Sequence, residues 1–270
     1  GKTCEIRLQS KGVVLNFPAY NAPTCEAFLP MFSAMAAGNA VVIKPSEHAP
    51  ESAQIIEEIV HSTLPSDEVY VVQGGAEIAQ EVLALPFNHI YYTGGNAVGK
   101  IVMKAAADHF ASVTLEMGGK NPVIIDATAK VENAATKLAW GRVMNAGQVC
   151  IAPDYAIVHE NVKEEFQTLI AEKIKTHYDA DNTGLEKSDY VPRIINTRHT
   201  ARIKALLDDA VKKGAKVVCG GHVNLDDNYV EPTVLTDVSE EMEIMREEVF
   251  GPILCVVGYK AREEVLALIK

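Results

Sequence analysis

Short apolar, β-branched runs alternate with stretches of helical periodicity along most of this chain, and that recurrence restricts its fold more than any other feature. Runs at 12–15 and 40–44 flank a helix-like stretch at 27–37, a strand–helix–strand unit. The pattern continues as helix 52–61, strand 69–73, helix 76–84, strand 89–93, helix 98–109 and strand 112–116. Such alternation predicts an α/β fold built on a parallel, doubly wound sheet.

A second series follows, with strands at 122–125, 155–159 and 216–219 and β segments around 230–235 and 253–259. Its helices are expected at 132–140, 162–178 and 197–213, and the polar segment 179–190 reads as a loop. One sheet's worth of units is complete before the paired glycines Gly118 and Gly119, which permit a hinge. The expected domains are therefore 1–117 and 118–270, and 270 residues suffice for two cores.

Composition excludes some classes. A net charge of −11 without a basic run argues against nucleic acid, whose binders carry clustered Lys and Arg. A dinucleotide remains compatible, because backbone amides at a helix N-terminus hold phosphate without net positive charge. Five scattered cysteines with no C-x-x-C pair suggest no metal site and a reducing, cytoplasmic setting. The first dozen residues contain no apolar signal core, and no apolar run reaches membrane-spanning length.

Four places could carry chemistry. Thr93-Gly94-Gly95-Asn96-Ala97-Val98-Gly99 follows a strand and opens a helix, where amides can face a pyrophosphate. Asn96 stands where the dinucleotide fingerprint needs glycine, so a plain glycine-rich turn reads equally well. Lys44-Pro45-Ser46-Glu47 ends the second strand, offering a cation and a carboxylate to ribose hydroxyls, or alternatively a solvated start to the next helix. Cys150, behind Gly147 and Gln148, lies in a loop and is more approachable than Cys219 and Cys255 in apolar strands. Glu116 ends a strand among apolar neighbours; enclosed there it would be partly desolvated and suited to a general base, whereas a solvent-facing Glu is the common alternative.

The order and wording of these motifs resemble the aldehyde dehydrogenase superfamily. The similarity runs through Gly12-Val13-Val14-Leu15, Tyr20-Asn21-Ala22-Pro23, Ala37-Gly38-Asn39-Ala40, Lys44-Pro45-Ser46-Glu47, Leu115-Glu116-Met117-Gly118-Gly119-Lys120, Gly147-Gln148-Val149-Cys150 and Glu247-Glu248-Val249-Phe250-Gly251-Pro252. Ala139-Trp140-Gly141-Arg142, Ala152-Pro153-Asp154-Tyr155 and Arg193-Ile194-Ile195-Asn196 are similar to the class 3 and fatty-aldehyde branch.

The resemblance implies a Rossmann-like NAD(P)-binding domain over 1–117 and an α/β catalytic domain over 118–270, incomplete at its C-terminus. It implies a Cys150 thiolate that attacks the aldehyde, with the oxyanion held by the Asn21 amide and the Cys150 N–H, and a Glu116 that activates water against the thioester. It places Lys44 and Glu248 at the cofactor's riboses, Phe250 near the nicotinamide, and Gly94, Gly95 and Gly99 at the pyrophosphate, with Ser46 and Glu47 also among the cofactor-binding residues. NAD is the expected cofactor and NADP is possible; the Glu47 carboxylate would repel a 2′-phosphate.

Tyr20 and Ala22 stand where the family usually has aromatic neighbours of the Asn, implying an altered pocket wall, and Gly95 stands where Ser or Asn is frequent. Family members are longer on both sides and are expected to form homodimers or homotetramers. Two other readings remain: a CoA-acylating enzyme, against which the presence of Glu116 argues, and a catalytically silent binding or structural relative.

Overall fold

A computed structural model describes residues 3–269; residues 1, 2 and 270, which close the expected domains 1–117 and 118–270, lie outside the described residues. Contacts divide the chain into two compact units, Gly1–Gly118 and Gly119–Lys270.

The first unit runs β1 (Val13–Phe17), α1 (Pro23–Ala36), β2 (Ala40–Ile43), α2 (Pro50–Thr63), β3 (Val69–Val71), α3 (Ala76–Leu83), β4 (His89–Gly94), α4 (Asn96–Asp108) and β5 (Ser112–Met117). Its strands form one parallel sheet in the order β3-β2-β1-β4-β5. The order reverses between β1 and β4, as in a doubly wound sheet. One cluster packs Ala27, Met31, Ile56 and Val60 of α1 and α2 against Val41, Ile43, Val69 and Val71. Another packs Val82, Leu83, Val102 and Ala106 of α3 and α4 against Leu15, Phe17, Ile90 and Tyr92. Helices on both sides explain why the strands read as continuous apolar runs.

Helix α1 begins at Pro23, four residues ahead of the expected 27–37, because proline fits the first helical turn, where its missing N–H is not needed. The Ala37-Gly38-Asn39-Ala40 wording has a structural cause. Gly38 takes φ +79° after the helix, and the Asn39 carboxamide accepts from the Lys11 and Gly12 amides (2.7 and 3.0 Å) while donating to Ala34 O.

The second unit runs β6 (Pro122–Ile125), α5 (Val131–Val143), β7 (Tyr155–His159), α6 (Glu160–Tyr178), α7 (Thr197–Lys212), β8 (Lys216–Cys219), β9 (Val223–Asn224), β10 (Tyr229–Val230), β11 (Thr233–Thr236), α8 (Glu243–Arg246), β12 (Ile253–Tyr259) and α9 (Arg262–Leu268). Its main sheet has the order β6-β7-β12-β11-β8, with β8 antiparallel to β11 and the others parallel. Ile157, Ile203, Leu207, Leu235 and Cys255 fill one face, and Phe166, Ile170, Ala156 and Val256 fill the other. The short α8 and α9 did not emerge from periodicity, because one or two turns repeat too few apolar positions.

Candidate functional site

Parallel strands bring several expected residues of the first unit to one edge. Asn21 follows β1, Lys44 follows β2, Gly94 closes β4 and Glu116 is the penultimate residue of β5, so all four lie at the carboxyl ends of the strands. That edge, beside the reversal of strand order, is where open α/β sheets hold ligands.

The Asn21 turn is held from below. Asn16 of β1 is buried and donates from Nδ2 to Glu26 O and Ala27 O (3.0 and 3.1 Å), while Glu26 Oε2 accepts from the Ala19 amide at 2.6 Å. Burial raises the Glu26 carboxyl above the ordinary range, against the lowering effect of that amide. Neither Asn16 nor Glu26 stood out in the sequence, since a lone Asn in a strand and a Glu in a first helical turn are ordinary.

Ser46 and Glu47 do not start the next helix. Helix α2 begins at Pro50 without a side-chain cap, and residues 44–49 form a loop ahead of it. Lys44 is buried and pairs with Glu47 at 3.0 Å. Burial pushes the Glu47 carboxyl up, but its own amide and Lys44 outweigh that and leave it below the ordinary value. Ser46 Oγ accepts from the His48 amide, and the rings of Tyr20 and His48 meet edge to face at 6.0 Å, tying this loop to the Asn21 turn.

The glycines of the β4–α4 turn differ in role. A Cβ on Gly95 would meet open space, and α4 begins without a side-chain cap, so its first amides are free to face an anion. Gly94 must lack a side chain because Tyr92 Oη occupies the place. The Gly99 amide already donates to Gly95 O, and a Cβ there would meet Met117 Sδ at 2.8 Å. Gly99 therefore permits close packing of α4 on the sheet. The turn, the helix N-terminus and Lys44 together fit a dinucleotide's pyrophosphate and ribose.

Of the two sequence readings of Glu116, the structure has the solvent-facing one. Its sequence neighbours are apolar, but alternation along β5 turns Leu115 inward and leaves Glu116 exposed. The carboxylate is accessible within this chain and is not enclosed.

In the second unit, Asn121, Cys150 and Glu248–Phe250 lie before the amino ends of β6, β7 and β12, three adjacent parallel strands. Between α5 and Cys150 the backbone makes a tight turn in which Asn145, Ala146 and Gly147 all take left-handed conformations, φ 51°, 53° and 70°. Gly147 is required there, because a Cβ would collide with Gly251 O and Arg142 O. Gln148 is buried and fully engaged: it donates to Asn145 O and Arg193 O (3.0 and 3.1 Å) and accepts from the Ile195 amide at 3.0 Å. Asn121 Nδ2 donates to Cys150 O and Ala152 O at 2.8 and 3.1 Å. The thiol-bearing residue itself is partly exposed.

The other strand cysteines differ. Burial pushes the Cys219 thiol up to about 11 and the Cys255 thiol to about 12. Glu248 accepts from the Gly119 amide at 3.3 Å; burial raises its carboxyl, and that amide opposes the rise. Phe250 takes φ 44°, rare for an aromatic residue. Among the described residues no cluster of three or more His, Cys, Asp or Glu side chains is arranged to hold a metal, and no helix is long and apolar enough to cross a membrane.

Comparison with known proteins adds an independent result. The model of the aldehyde dehydrogenase family matches residues 1–269. The chain is 39% identical over 264 residues to 4,4'-diaponeurosporen-aldehyde dehydrogenase of Staphylococcus aureus, covering 98% of this chain and 56% of that protein. It is 42% identical over 258 residues to aldehyde dehydrogenase family 3 member A2 of Rattus norvegicus, covering 96% and 52%. The substrate-bound structure of Staphylococcus aureus AldH superposes with a TM-score of 0.91 at 39% identity, over 97% of this chain and 56% of that one. An NAD+ complex of a Bacillus cereus aldehyde dehydrogenase gives 0.87 at 29% identity, over 97% and 54%. The chain thus spans about half the length of the curated relatives it matches.

Proposed function

The chain belongs to the aldehyde dehydrogenase family, and on that footing we propose that it serves the oxidation of an aliphatic or aromatic aldehyde to its carboxylic acid, with Cys150 as nucleophile and NAD, or alternatively NADP, as hydride acceptor. The observation that carries the reading is the Cys150 loop: partly exposed, strained and clamped by two neutral amides, while Cys219 and Cys255 are held as neutral thiols in strands. A structural cysteine needs no such loop.

The partly exposed Cys150 thiol gives its proton to solvent water, and the thiolate forms a C–S bond to the carbonyl carbon, moving the π electrons onto oxygen. The Asn21 carboxamide and the Cys150 N–H are the donors for that oxyanion; one such donor is typically worth about 3–4 kcal/mol of barrier. A bound nicotinamide cofactor would supply the acceptor for the hydride on this carbon, whose loss leaves a thioester on Cys150. Glu116, exposed and acceptor-only when ionised, takes a proton from water; the hydroxyl adds to the thioester, the C–S bond breaks and the thiolate returns.

The residues suited to the cofactor are Lys44, Ser46 and Glu47 for the adenosine ribose, the α4 N-terminus with Gly94 and Gly95 for the pyrophosphate, and Glu248 and Phe250 for the nicotinamide riboside. A carboxylate at Glu47 favours NAD mildly, since it repels a 2′-phosphate.

The test is a panel of short, long-chain and aromatic aldehydes with each cofactor, followed by reduced-nicotinamide absorbance. Cys150→Ala is expected to abolish turnover while leaving cofactor binding unchanged. Equal turnover by this variant would refute the assignment, and an acyl-CoA product in place of acid would refute hydrolysis.

A further inference from the structure

Beneath the Cys150 loop lies a pair of buried charges that the proposed chemistry does not use. Arg142, in the last turn of α5, is 3% exposed and Asp154, just before β7, is 1% exposed. Arg142 donates from Nη1 to Pro153 O at 2.8 Å and from Nη2 to Gly251 O, while its Nε has no partner. Asp154 Oδ2 lies 4.0 Å from Arg142 Nη1 and accepts from the Val249 amide at 2.9 Å; Oδ1 pairs with Lys120.

As a device for stability this is poor. Burying two ions and leaving one N–H unsatisfied costs more than a well-packed apolar pair would, and replacing such pairs with hydrophobic residues is often neutral or stabilising. What the pair does achieve is a fixed spacing between two strained segments. Arg142 reaches Pro153 on one and Gly251 on the other, and Asp154 reaches Val249; Gly251 O is the atom against which Gly147 must turn. The left-handed residues 145–147 and Phe250 sit inside this bracket, and Arg202 closes it from α7 by donating to Val249 O and Glu248 O. Strained backbone persists only where its surroundings over-determine it.

We propose that Arg142 and Asp154 are positioning residues that lock the nucleophile-bearing loop to the Glu248–Gly251 segment, so that the Cys150 sulfur and the cofactor contacts of Glu248 and Phe250 are set as one rigid piece. The proposal rests on Cys150 being the nucleophile, but its central measurement needs neither aldehyde nor cofactor.

The test compares wild type with Arg142→Met, Arg142→Lys and Asp154→Asn, each checked for folded fraction at the assay temperature. Alkylation of Cys150 by iodoacetamide is followed by mass spectrometry, with exposed Cys25 as internal reference. Arg142→Met frees the loop, and Cys150 is expected to react roughly threefold faster or more relative to Cys25. In turnover assays kcat is expected to fall about tenfold or more, as loss of positioning does. Arg142→Lys, which reaches one carbonyl, recovers part of both. Asp154→Asn keeps an acceptor for Val249 and is expected to fall between them. An unchanged Cys150-to-Cys25 ratio in both Arg142→Met and Asp154→Asn overturns the proposal, as does an activity loss fully accounted for by a lower folded fraction. If instead the ratio shifts while Cys150→Ala retains turnover, the locking stands and the nucleophile assignment fails.

Discussion

The side chain of Asn121 donates to the main-chain carbonyl of Cys150, at 2.8 Å, and also to that of Ala152. Asn121 O in turn accepts from the Asp154 amide at 2.9 Å, so one residue ahead of β6 ties both ends of the 150–154 segment. Asn121→Ala removes two hydrogen bonds, worth about 1 kcal/mol each. Asn121→Asp is expected to be worse, because a carboxylate would face two carbonyl oxygens with no proton to offer. Urea unfolding of the two variants checks the order; an Asp variant more stable than the Ala variant at neutral pH contradicts it.

Gly147 and Gly221 offer a matched contrast. Both take left-handed φ, 70° and 104°, but a Cβ on Gly147 collides with backbone, whereas one on Gly221 would touch Val217 Cγ1 at an ordinary 3.5 Å. Gly221→Ala is expected to cost about 1 kcal/mol of conformational strain. Gly147→Ala adds displacement of the Gly251 carbonyl and is expected to cost at least about 3 kcal/mol. Equal shifts in the denaturation midpoint would show that the loop tolerates the backbone movement.

Thiol labelling separates the cysteines by environment. Near neutral pH, Cys4 and Cys25 are exposed and expected to alkylate readily, while Cys219 and Cys255, with thiols near 11 and 12, stay unmodified until the protein is unfolded. Peptide mapping after limited iodoacetamide treatment reads this directly. Early modification of Cys255 would place it outside the packed core.

Glu248 should give a pH signature. Burial raises its folded-state carboxyl, so the folded protein holds that proton more tightly than the unfolded chain, and the associated stability is present in acid and lost as pH rises through the raised value. Glu248→Gln cannot ionise and keeps an acceptor for the Gly119 amide. It is expected to be modestly more stable than wild type at neutral pH, with the difference vanishing below the ordinary glutamate range. A difference that grows toward acid would reverse the sign.

The sheet of the first unit was legible because its strands are buried on both faces and separated by helices of regular period. The reach of α1 back to Pro23 was not, since proline marks a boundary without saying on which side the helix lies. Cys150 stood out through Gly147 and Gln148, whereas Glu116 was left with an enclosed and a solvent-facing reading, because apolar neighbours in a strand can alternate away from the residue between them. Arg142 and Asp154 were visible only as family wording. Their role depends on partners 109 and 95 positions away, Gly251 and Val249, a separation that local spacing cannot encode.

Two of the groups that hold the Cys150 loop, Asn121 and Gln148, are carboxamides, which neither gain nor lose a proton anywhere in the accessible range. The contacts those two side chains make should stay constant while thiols and exposed carboxylates titrate. Inflections in a rate-versus-pH curve would then report the reacting groups themselves, not a backbone that melts and re-forms around them.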